Sequence, residues 1–270
     1  MYETNYSRAK DAADAAKQMR AADDGMYLSG GMTLLPTMKQ RLAAPSDLID
    51  LTHIKGADEI KVSRKEVTIG GAATHASVAS NAKLMKVCPS LCDLASHIGD
   101  PAVRHRGTIG GSIANNDPAA DYPAAMIALD ATIITNKRKL KAEKFFTGMF
   151  ETALKEDEFV KAVSFTAPKS GAYAKFPNPA SRYAMAGVYV ADHGGTKAKR
   201  DIRVGVTGAS QGGVYRAKDM EKALAADFSE AAIDGCNVDE DDMLADIHGS
   251  AAYRANLVKV MAKRAVAAVG

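Results

Sequence analysis

The sequence predicts an α+β protein in two parts, a first part that mixes helices with short strands and a second, smaller part. At 270 residues the chain is longer than a typical single-core domain. Three prolines and a glycine crowd into residues 168–179, and two β-rich runs and several helical patterns follow them. We therefore expect a boundary at about 168–172, which separates residues 1–170 from a small C-terminal domain, 171–270, with an antiparallel sheet.

The charge and composition of the chain argue against a nucleic acid partner and against a membrane-spanning segment. It carries 35 basic and 32 acidic residues, spread along its length, so no charged field predicts binding to nucleic acid. The first twenty residues carry both signs of charge and predict no secretory signal, and no stretch approaches 18 apolar residues. Three cysteines suit a reducing cytoplasm; a peripheral position at the inner membrane face is the alternative. Three thiols are too few for an ordinary iron–sulfur cluster, and we expect no metal site.

The first elements predict a site for a phosphate. Helical spacing covers residues 11–22, a strand covers 26–29, and a helix with a proline in its first turn covers 34–42. Between that strand and that helix lie Gly30 and Gly31. Free N–H groups at the start of a helix favour an anion, so this loop has the chemistry of a phosphate-binding turn. It is neither the dinucleotide fingerprint of a Rossmann unit nor a Walker P-loop.

The next elements lead to the centre of the chain. Residues 47–51 predict a buried strand, 60–69 a hairpin, and 89–98 a helix. The stretch 99–123 is so poor in large apolar residues that we expect a long functional loop rather than a core helix or strand. Its adjacent glycines at 110 and 111 would let a ligand lie against the backbone, while carboxylates that follow can accept hydrogen bonds from hydroxyl groups.

The rest of the chain alternates strands and helices. Predicted elements are a helix at 124–129, strands at 131–135 and 158–166, a turn at 137–139, strands at 183–191 and 202–209 with a turn at 193–195, and helices at 217–226, 229–233 and 251–268. The last helix is amphipathic. Packing onto its own sheet is the expected role, and a membrane-surface helix is the alternative.

Two segments of this sequence resemble one known family. Residues 29–36, Ser-Gly-Gly-Met-Thr-Leu-Leu-Pro, and residues 100–121, with Arg-Gly-Thr-Ile-Gly-Gly and Asp-Pro-Ala-Ala-Asp, resemble the flavin loops of the FAD-binding medium subunit of molybdenum hydroxylases, the carbon monoxide dehydrogenase and xanthine dehydrogenase family. The two Gly-Gly loops lie about eighty residues apart in the order that the family has, so a chance match to both is improbable. The pattern lies nearest the carbon monoxide dehydrogenase type.

The resemblance implies a fold and a set of contacts. The first part would be a two-part FAD-binding domain of the vanillyl-alcohol-oxidase/PCMH type, with subdomains of about 1–55 and 56–170. The FAD pyrophosphate would lie on both Gly-Gly loops, and the later aspartate would hold the ribityl chain. The expected cofactor contacts are Ser29, Gly30, Gly31, Met32, Thr33, Leu34, Ala72, Ile98, Gly99, Thr108, Gly110, Gly111, Ser112, Ala114, Asp117, Asp121 and Tyr183.

One position departs from the family pattern, and four further residues have roles that the resemblance leaves open. Ser112 stands where the family usually has asparagine, so one side-chain contact differs. Tyr183 is the candidate for the aromatic residue beside the isoalloxazine, and Tyr189 is its rival. Arg104 and Arg106 would either help to neutralise phosphate or anchor the loop by ion pairs.

The implied function is electron transfer rather than covalent catalysis by side chains. No nucleophile, catalytic dyad or metal set is evident, and FAD would carry the chemistry. By resemblance, the chain would pass electrons from an iron–sulfur small subunit to a quinone or another acceptor, while a molybdenum large subunit oxidises substrate. The alternatives are a stand-alone flavin-dependent reductase or oxidase of the same fold, and a non-redox module for a phosphorylated ligand.

Overall fold

A computed structural model describes residues 1–196 and 199–269, and it begins with a small parallel sheet. Asp11 caps the first helix by accepting hydrogen bonds from the N–H groups of Ala13 and Asp14. The elements are β1 (Asn5–Arg8), α1 (Ala12–Ala21), β2 (Gly25–Leu28), α2 (Leu34–Lys39) and β3 (Asp47–Asp50), with strand order β1-β3-β2. The strand, glycine pair and helix predicted at residues 26–42 are confirmed, although the helix is shorter than expected.

A five-stranded antiparallel sheet and a layer of short helices follow. The elements are β4 (Ile60–Ser63), β5 (Glu66–Gly70), α3 (His75–Ser80), α4 (Ala82–Val87), α5 (Pro89–Ser96), α6 (Pro101–Arg106), α7 (Ile109–Asn115), α8 (Tyr122–Ala128), β6 (Thr132–Thr135), β7 (Lys139–Lys141), α9 (Ala142–Phe145), β8 (Phe146–Gly148), β9 (Glu151–Thr152) and β10 (Val160–Thr166). The strand order is β4-β5-β10-β6-β7, and β8 pairs with β9. Buried side chains of these helices and of the central strands form one core.

The prediction that residues 99–123 form a long loop is wrong, because two helices lie within this stretch. The side chain of Asp100 caps α6, and Pro101 occupies its first turn, where a missing N–H is harmless. Thr108 caps α7 by accepting a hydrogen bond from the N–H of Gly111 at 3.1 Å. The small residues in this stretch are therefore compatible with capped helices and are not the sign of an irregular chain.

The C-terminal part is a four-stranded antiparallel sheet covered by helices. Its elements are β11 (Ser170–Pro177), β12 (Ala184–Thr196), β13 (Lys199–Thr207), β14 (Tyr215–Arg216), α10 (Lys218–Ala226), two 3₁₀ turns at Ala231–Ile233 and Glu240–Asp242, and α11 (Ala251–Val269). α11 buries Leu257, Met261 and Val266 in the second core of the chain, as expected for packing onto its own sheet. No helix among the described residues is both long and apolar enough to cross a membrane.

Two sequence-based expectations fail in this part. β11 was not predicted, because prolines and a glycine surround it and conceal its strand character. The turn predicted at 193–195 is wrong, since β12 continues to Thr196 through a register shift between Asp192 and Gly195. The two residues that link β12 to β13 lie outside the described residues.

The C-terminal sheet holds the segment that precedes α8. The hydroxyl of Thr207 donates hydrogen bonds to the carbonyl oxygens of Pro118 and Ala120, and the N–H of Gly208 donates to Pro118. These contacts fix residues 117–121 between the two cores, beside the cleft described next.

Candidate functional site

A cleft of about 990 Å³ lies where the parallel sheet, the five-stranded sheet and the C-terminal sheet meet. Its volume is at the upper end of the range for ligand sites in proteins. Every residue predicted to contact the cofactor lines this cleft: Ser29, Gly30, Gly31, Met32, Thr33, Leu34, Ala72, Ile98, Gly99, Thr108, Gly110, Gly111, Ser112, Ala114, Asp117, Asp121 and Tyr183. The structure thus brings together residues that are up to 154 positions apart in the chain.

The two Gly-Gly loops contact each other directly. The hydroxyl oxygens of Ser29 and Thr108 are 2.9 Å apart, which is a hydrogen bond between the first loop and the cap of α7. A β-carbon at Gly30 would lie 2.1 Å from the carbonyl oxygen of Arg106. Only glycine permits this approach, so the first glycine of the loop is needed to join the two segments.

The first loop presents unused hydrogen-bond donors to the cleft. Among the described residues, the backbone N–H groups of Gly30, Gly31, Met32 and Thr33 donate to no protein acceptor. Backbone N–H groups that are left without a partner in a fold are usually satisfied by a ligand or by water. Four successive free donors suit the oxygens of a phosphate or diphosphate.

Gly110 and Gly111, the adjacent glycines of the second Gly-Gly loop, have different roles. A β-carbon at Gly110 would lie 2.5 Å from the carbonyl oxygen of Gly71, and the N–H of Gly110 donates to that same oxygen at 2.9 Å. Gly110 therefore joins α7 to the end of β5 by packing, and its N–H is already in use. At Gly111 a β-carbon would meet only the Thr108 hydroxyl, at 3.0 Å, and the Ser29 β-carbon, at 4.0 Å. Gly111 keeps open the space beside the loop junction.

The two aspartates have different surroundings. Asp117 accepts a hydrogen bond from the N–H of Ala119 at 2.8 Å, and burial raises the pKa of its carboxyl group. Asp121 is almost completely buried, and burial raises its pKa while the ammonium group of Lys175 opposes the shift. Since a carboxylate has several lone pairs, both side chains retain acceptor capacity toward hydroxyl groups in the cleft.

Lys175 of β11 is a cleft residue that the sequence analysis missed. Its Nζ lies 3.0 Å from Asp121, and only 6% of its side chain is exposed. The Tyr173 hydroxyl donates to the same carboxylate at 2.5 Å, in space that Gly187 leaves open by having no β-carbon. No local pattern marks this lysine, because its partner lies 54 residues earlier in the chain.

Two tyrosines were candidates for the position beside the flavin ring, and the structure distinguishes them. Tyr183 lines the cleft with 49% of its surface exposed, and the pKa of its phenol is raised by burial and by the charges of Asp117 and Asp121. Tyr189 is fully buried in the core, where its hydroxyl forms a hydrogen bond with Ser90 at 2.5 Å. Tyr189 is therefore a core residue, and Tyr183 alone of the two faces the cleft.

The two arginines of the central stretch are not among the residues that line the cleft. The guanidinium of Arg104 donates to the carbonyl oxygens of Ile98 and Gly99, each at 3.1 Å. It thus anchors the turn before α6 through carbonyl groups rather than through ion pairs. The contribution of Arg106 that the structure defines is its carbonyl oxygen, packed against Gly30.

His75 is a second cleft residue that was not predicted. Only 4% of its surface is exposed, and its Nδ1 is buried without a hydrogen-bond partner among the described residues. Burial lowers the pKa of the imidazole to about 4, so His75 is neutral at pH 7. Its backbone N–H donates to the carbonyl oxygen of Gly107, which joins the start of α3 to the start of α7. Apart from the predicted contact at Ala72, three residues earlier, nothing in the sequence marked this histidine.

The chemistry of this cleft fits a flavin dinucleotide. It offers free backbone donors for a diphosphate, carboxylates for the hydroxyl groups of a ribityl chain, and an aromatic side chain for a ring. Gly31, which lines the cleft, lies at φ +71°, a conformation that glycine adopts readily.

The chain is similar to known proteins over almost its whole length. A family model described as FAD binding domain in molybdopterin dehydrogenase matches residues 2–168. The nicotine 6-hydroxylase medium subunit of Paenarthrobacter nicotinovorans is 30% identical over 275 residues, which cover 98% of this chain and 96% of that protein. The carbon monoxide dehydrogenase medium chain of Afipia carboxidovorans is 31% identical, over 97% of this chain and 95% of that one.

Solved structures agree with these matches. A chain of the reconstituted CO dehydrogenase from Oligotropha carboxidovorans matches with a TM-score of 0.90 and 29% identity, over 99% of this chain and 97% of that chain. The resemblance inferred from the two Gly-Gly loops is thereby confirmed, as are the mixed α and β fold and FAD as the cofactor. The chain belongs to the family of FAD-binding subunits of molybdopterin-dependent dehydrogenases.

Proposed function

We propose that this chain is the FAD-carrying subunit of a heteromeric molybdenum hydroxylase, and that it passes electrons from an iron–sulfur subunit to a quinone or another acceptor. The observation that carries the proposal is the convergence of residues 29–33 and 108–112 on one cleft, with four free backbone donors in the first loop. The family and the relatives, which are named as medium subunits or medium chains, support a role within a larger enzyme.

Each part of the cleft has a function in this proposal. The N–H groups from Gly30 to Thr33 bind the diphosphate, and Asp117 accepts hydrogen bonds from the ribityl hydroxyls. Tyr183 packs against the flavin ring and limits access to it. FAD, when bound, supplies the redox chemistry, and the protein orients it and sets its electrostatic surroundings.

The domain organisation remains part of the proposal. Most residues of one core lie between 67 and 167, and those of another lie between 172 and 266, which supports two units that meet near residue 170; Tyr173, Tyr189 and Ala191 of the second unit pack into the first core. The cleft opens between them, which suits a cofactor held by the first unit and covered by Tyr183 of the second.

A visible absorbance spectrum of the purified chain tests the cofactor. We expect the two-banded absorption of oxidised flavin, or its recovery after FAD is added to chain that was isolated without it. A chain that takes up no FAD under either condition would contradict the proposal and favour a module for another phosphorylated ligand.

Co-purification from the native cells tests the role in a complex. We expect an iron–sulfur polypeptide and a molybdenum-containing polypeptide to elute with the chain at equal stoichiometry. A flavin-loaded monomer or homodimer that turns over a soluble electron donor by itself would instead favour a stand-alone reductase or oxidase.

A further inference from the structure

We infer that Arg254 of α11 is a positioning residue for the flavin site, because its guanidinium fixes the two chain segments that carry Tyr183 and Asp117 into the cleft. Arg254 itself is not among the residues that line the cleft. The inference rests on the proposed function. It gives the C-terminal helix a part in shaping the surroundings of the flavin, beyond the packing of its apolar face in the second core.

The side chain of Arg254 is a buried charge with three hydrogen bonds. Only 4% of the residue is exposed. Nη1 donates to the carbonyl oxygens of Met185 and Gly208, each at 2.9 Å, and Nη2 donates to the carboxylate of Asp246 at 2.7 Å. Nε donates to no acceptor among the described residues. Because a buried charge is costly unless its partners are well placed, the guanidinium and these three partners hold one another in a defined geometry.

Two of these partners lie where strands β12 and β13 part. The described ladder between the two strands ends at the pair Gly187–Thr207, and the carbonyl groups of Met185 and Gly208 lie beyond that pair. Gly208 lies at φ +82°, and a β-carbon there would be 2.4 Å from the carbonyl oxygen of Ala184, a backbone atom. The guanidinium therefore bridges two strand ends that pass in close contact after their ladder has ended.

Both strand ends continue directly into the cleft. Tyr183, which lines the cleft, precedes Met185 by two residues. The N–H of Gly208 donates to the carbonyl oxygen of Pro118 at 2.8 Å, and the residue before this proline is Asp117, which also lines the cleft. The bonded path from the guanidinium thus reaches an aromatic side chain and a carboxylate of the site. Small displacements of groups that orient a ligand have large effects, so loss of the guanidinium should weaken the site from outside it.

Hydrogen exchange of backbone amides in the FAD-free chain tests the positioning itself. In Arg254→Met an apolar chain replaces the guanidinium, and the side chain of Asp246, which is 43% exposed, can be solvated. We expect the N–H of Gly208, which is bonded to Pro118, to exchange about tenfold faster relative to the buried amides of β13. The comparison with β13 removes the contribution of a change in global stability.

Arg216→Met is the matched control. Arg216 belongs to the same C-terminal part, where it forms an ion pair with Glu221 at 2.6 Å, and it does not line the cleft. Its replacement leaves Glu221 without this partner and should lower stability. The relative exchange rate of the Gly208 amide should nevertheless stay at the wild-type value, because Arg216 is not bonded to the strand ends that Arg254 bridges.

The bound flavin tests the consequence for the site. Under conditions in which each variant remains folded, we expect Arg254→Met to raise the dissociation constant for FAD about tenfold. We also expect the visible absorption bands of the bound flavin to shift, because a displaced Tyr183 changes the surroundings of the ring. Arg216→Met should keep the wild-type affinity and bands. A purely structural role of Arg254 would lower stability without moving either quantity.

The outcomes separate this inference from the proposed function. If the wild-type chain binds FAD and Arg254→Met retains its affinity and bands, Arg254 does not position the site, while the flavoprotein assignment stands. A wild-type chain that binds no FAD overturns both. Should Arg254→Met not fold, Asp246→Asn takes its place, because it removes the charge that holds Nη2. A dissociation constant that rises about threefold in Asp246→Asn supports the inference, and an unchanged constant overturns it.

Discussion

The adjacent glycines of the central motif allow a sharp test, because the structure assigns packing to Gly110 and cleft space to Gly111. In Gly110→Ala the new β-carbon lies 2.5 Å from the Gly71 oxygen and 2.8 Å from the Gly71 α-carbon, both backbone atoms. In Gly111→Ala it lies 3.0 Å from the Thr108 hydroxyl, and beyond the adjoining residues and the helix's own backbone no other atom is closer than 4.0 Å. The same chemical change is thus made at neighbouring positions with opposite expected effects.

The distances give the expected magnitudes. Relief of the Gly110 clash requires α7 and the end of β5 to separate by about 1 Å, which also weakens the hydrogen bond between them. We expect the free energy of unfolding to fall by about 2 to 4 kcal/mol, the sum of overpacking and the lost bond. At Gly111 the gain in helix propensity, about 1 kcal/mol, offsets the tight contact, so stability should change by less than about 0.5 kcal/mol.

The assay is urea unfolding of the FAD-free chain, together with titration of FAD followed by quenching of flavin fluorescence. For Gly111→Ala we expect nearly unchanged unfolding and a dissociation constant for FAD that rises at least tenfold, because the methyl group occupies space beside the Ser29–Thr108 junction. If Gly111→Ala binds FAD like the wild type, the diphosphate does not lie at this junction. A stable Gly110→Ala would refute the packing argument.

Three further predictions follow from single side chains. Tyr183→Ala should alter the flavin spectrum with little effect on stability, whereas Tyr189→Phe should lower the free energy of unfolding by about 1 kcal/mol and leave the spectrum unchanged; the reverse result would exchange their roles. Burial opposes ionisation of Glu158, but Arg138 and a hydroxyl group lower its pKa to about 2, so the free energy of unfolding should decline as pH falls from 4.5 to 2. Arg138→Met should lower the free energy of unfolding at pH 7 by about 2 kcal/mol. A free energy of unfolding that does not change over this acid range in the wild type would contradict the prediction. Burial keeps His75 neutral with a pKa of about 4, so the free energy of unfolding should also decline as pH falls from 6.5 to 4. His75→Phe should remove that part of the pH dependence, as measured by urea unfolding at a series of pH values.

The sequence predicted the site well where the signal was local. A strand, two glycines and a helix lie within about fifteen residues, and they form β2, the loop and α2 as expected. The physical reason is that a helix start exposes N–H groups whatever the rest of the fold does. That Gly30 also lets the chain pass within contact of Arg106 was not predictable, because this contact spans 76 residues.

The central stretch shows the limit of composition as a guide. The scarcity of large apolar residues, together with the glycines, is why a loop was predicted at 99–123. In the fold, α7 needs Gly110 in order to lie against Gly71 of the neighbouring segment, and this tertiary contact overrides local propensity. The same glycines were interpreted as ligand contacts, and only Gly111 has open space that suits that role.

Lys175 and His75 could not be identified from sequence for a related reason. Each has a role that depends on partners from distant elements, Asp121 for the lysine and Gly107 for the histidine. Burial of a charged or titratable group is a property of the folded chain and leaves no periodic pattern in the sequence.

The central claim is that the diphosphate of FAD is bound by the free backbone donors of the first Gly-Gly loop where it meets the second. A crystal structure of the chain with FAD tests this most directly. We predict diphosphate oxygens within about 3.2 Å of the backbone nitrogens of Gly30 to Thr33, beside the Ser29–Thr108 hydrogen bond. A diphosphate bound elsewhere, with these nitrogens in contact only with water, would contradict the account.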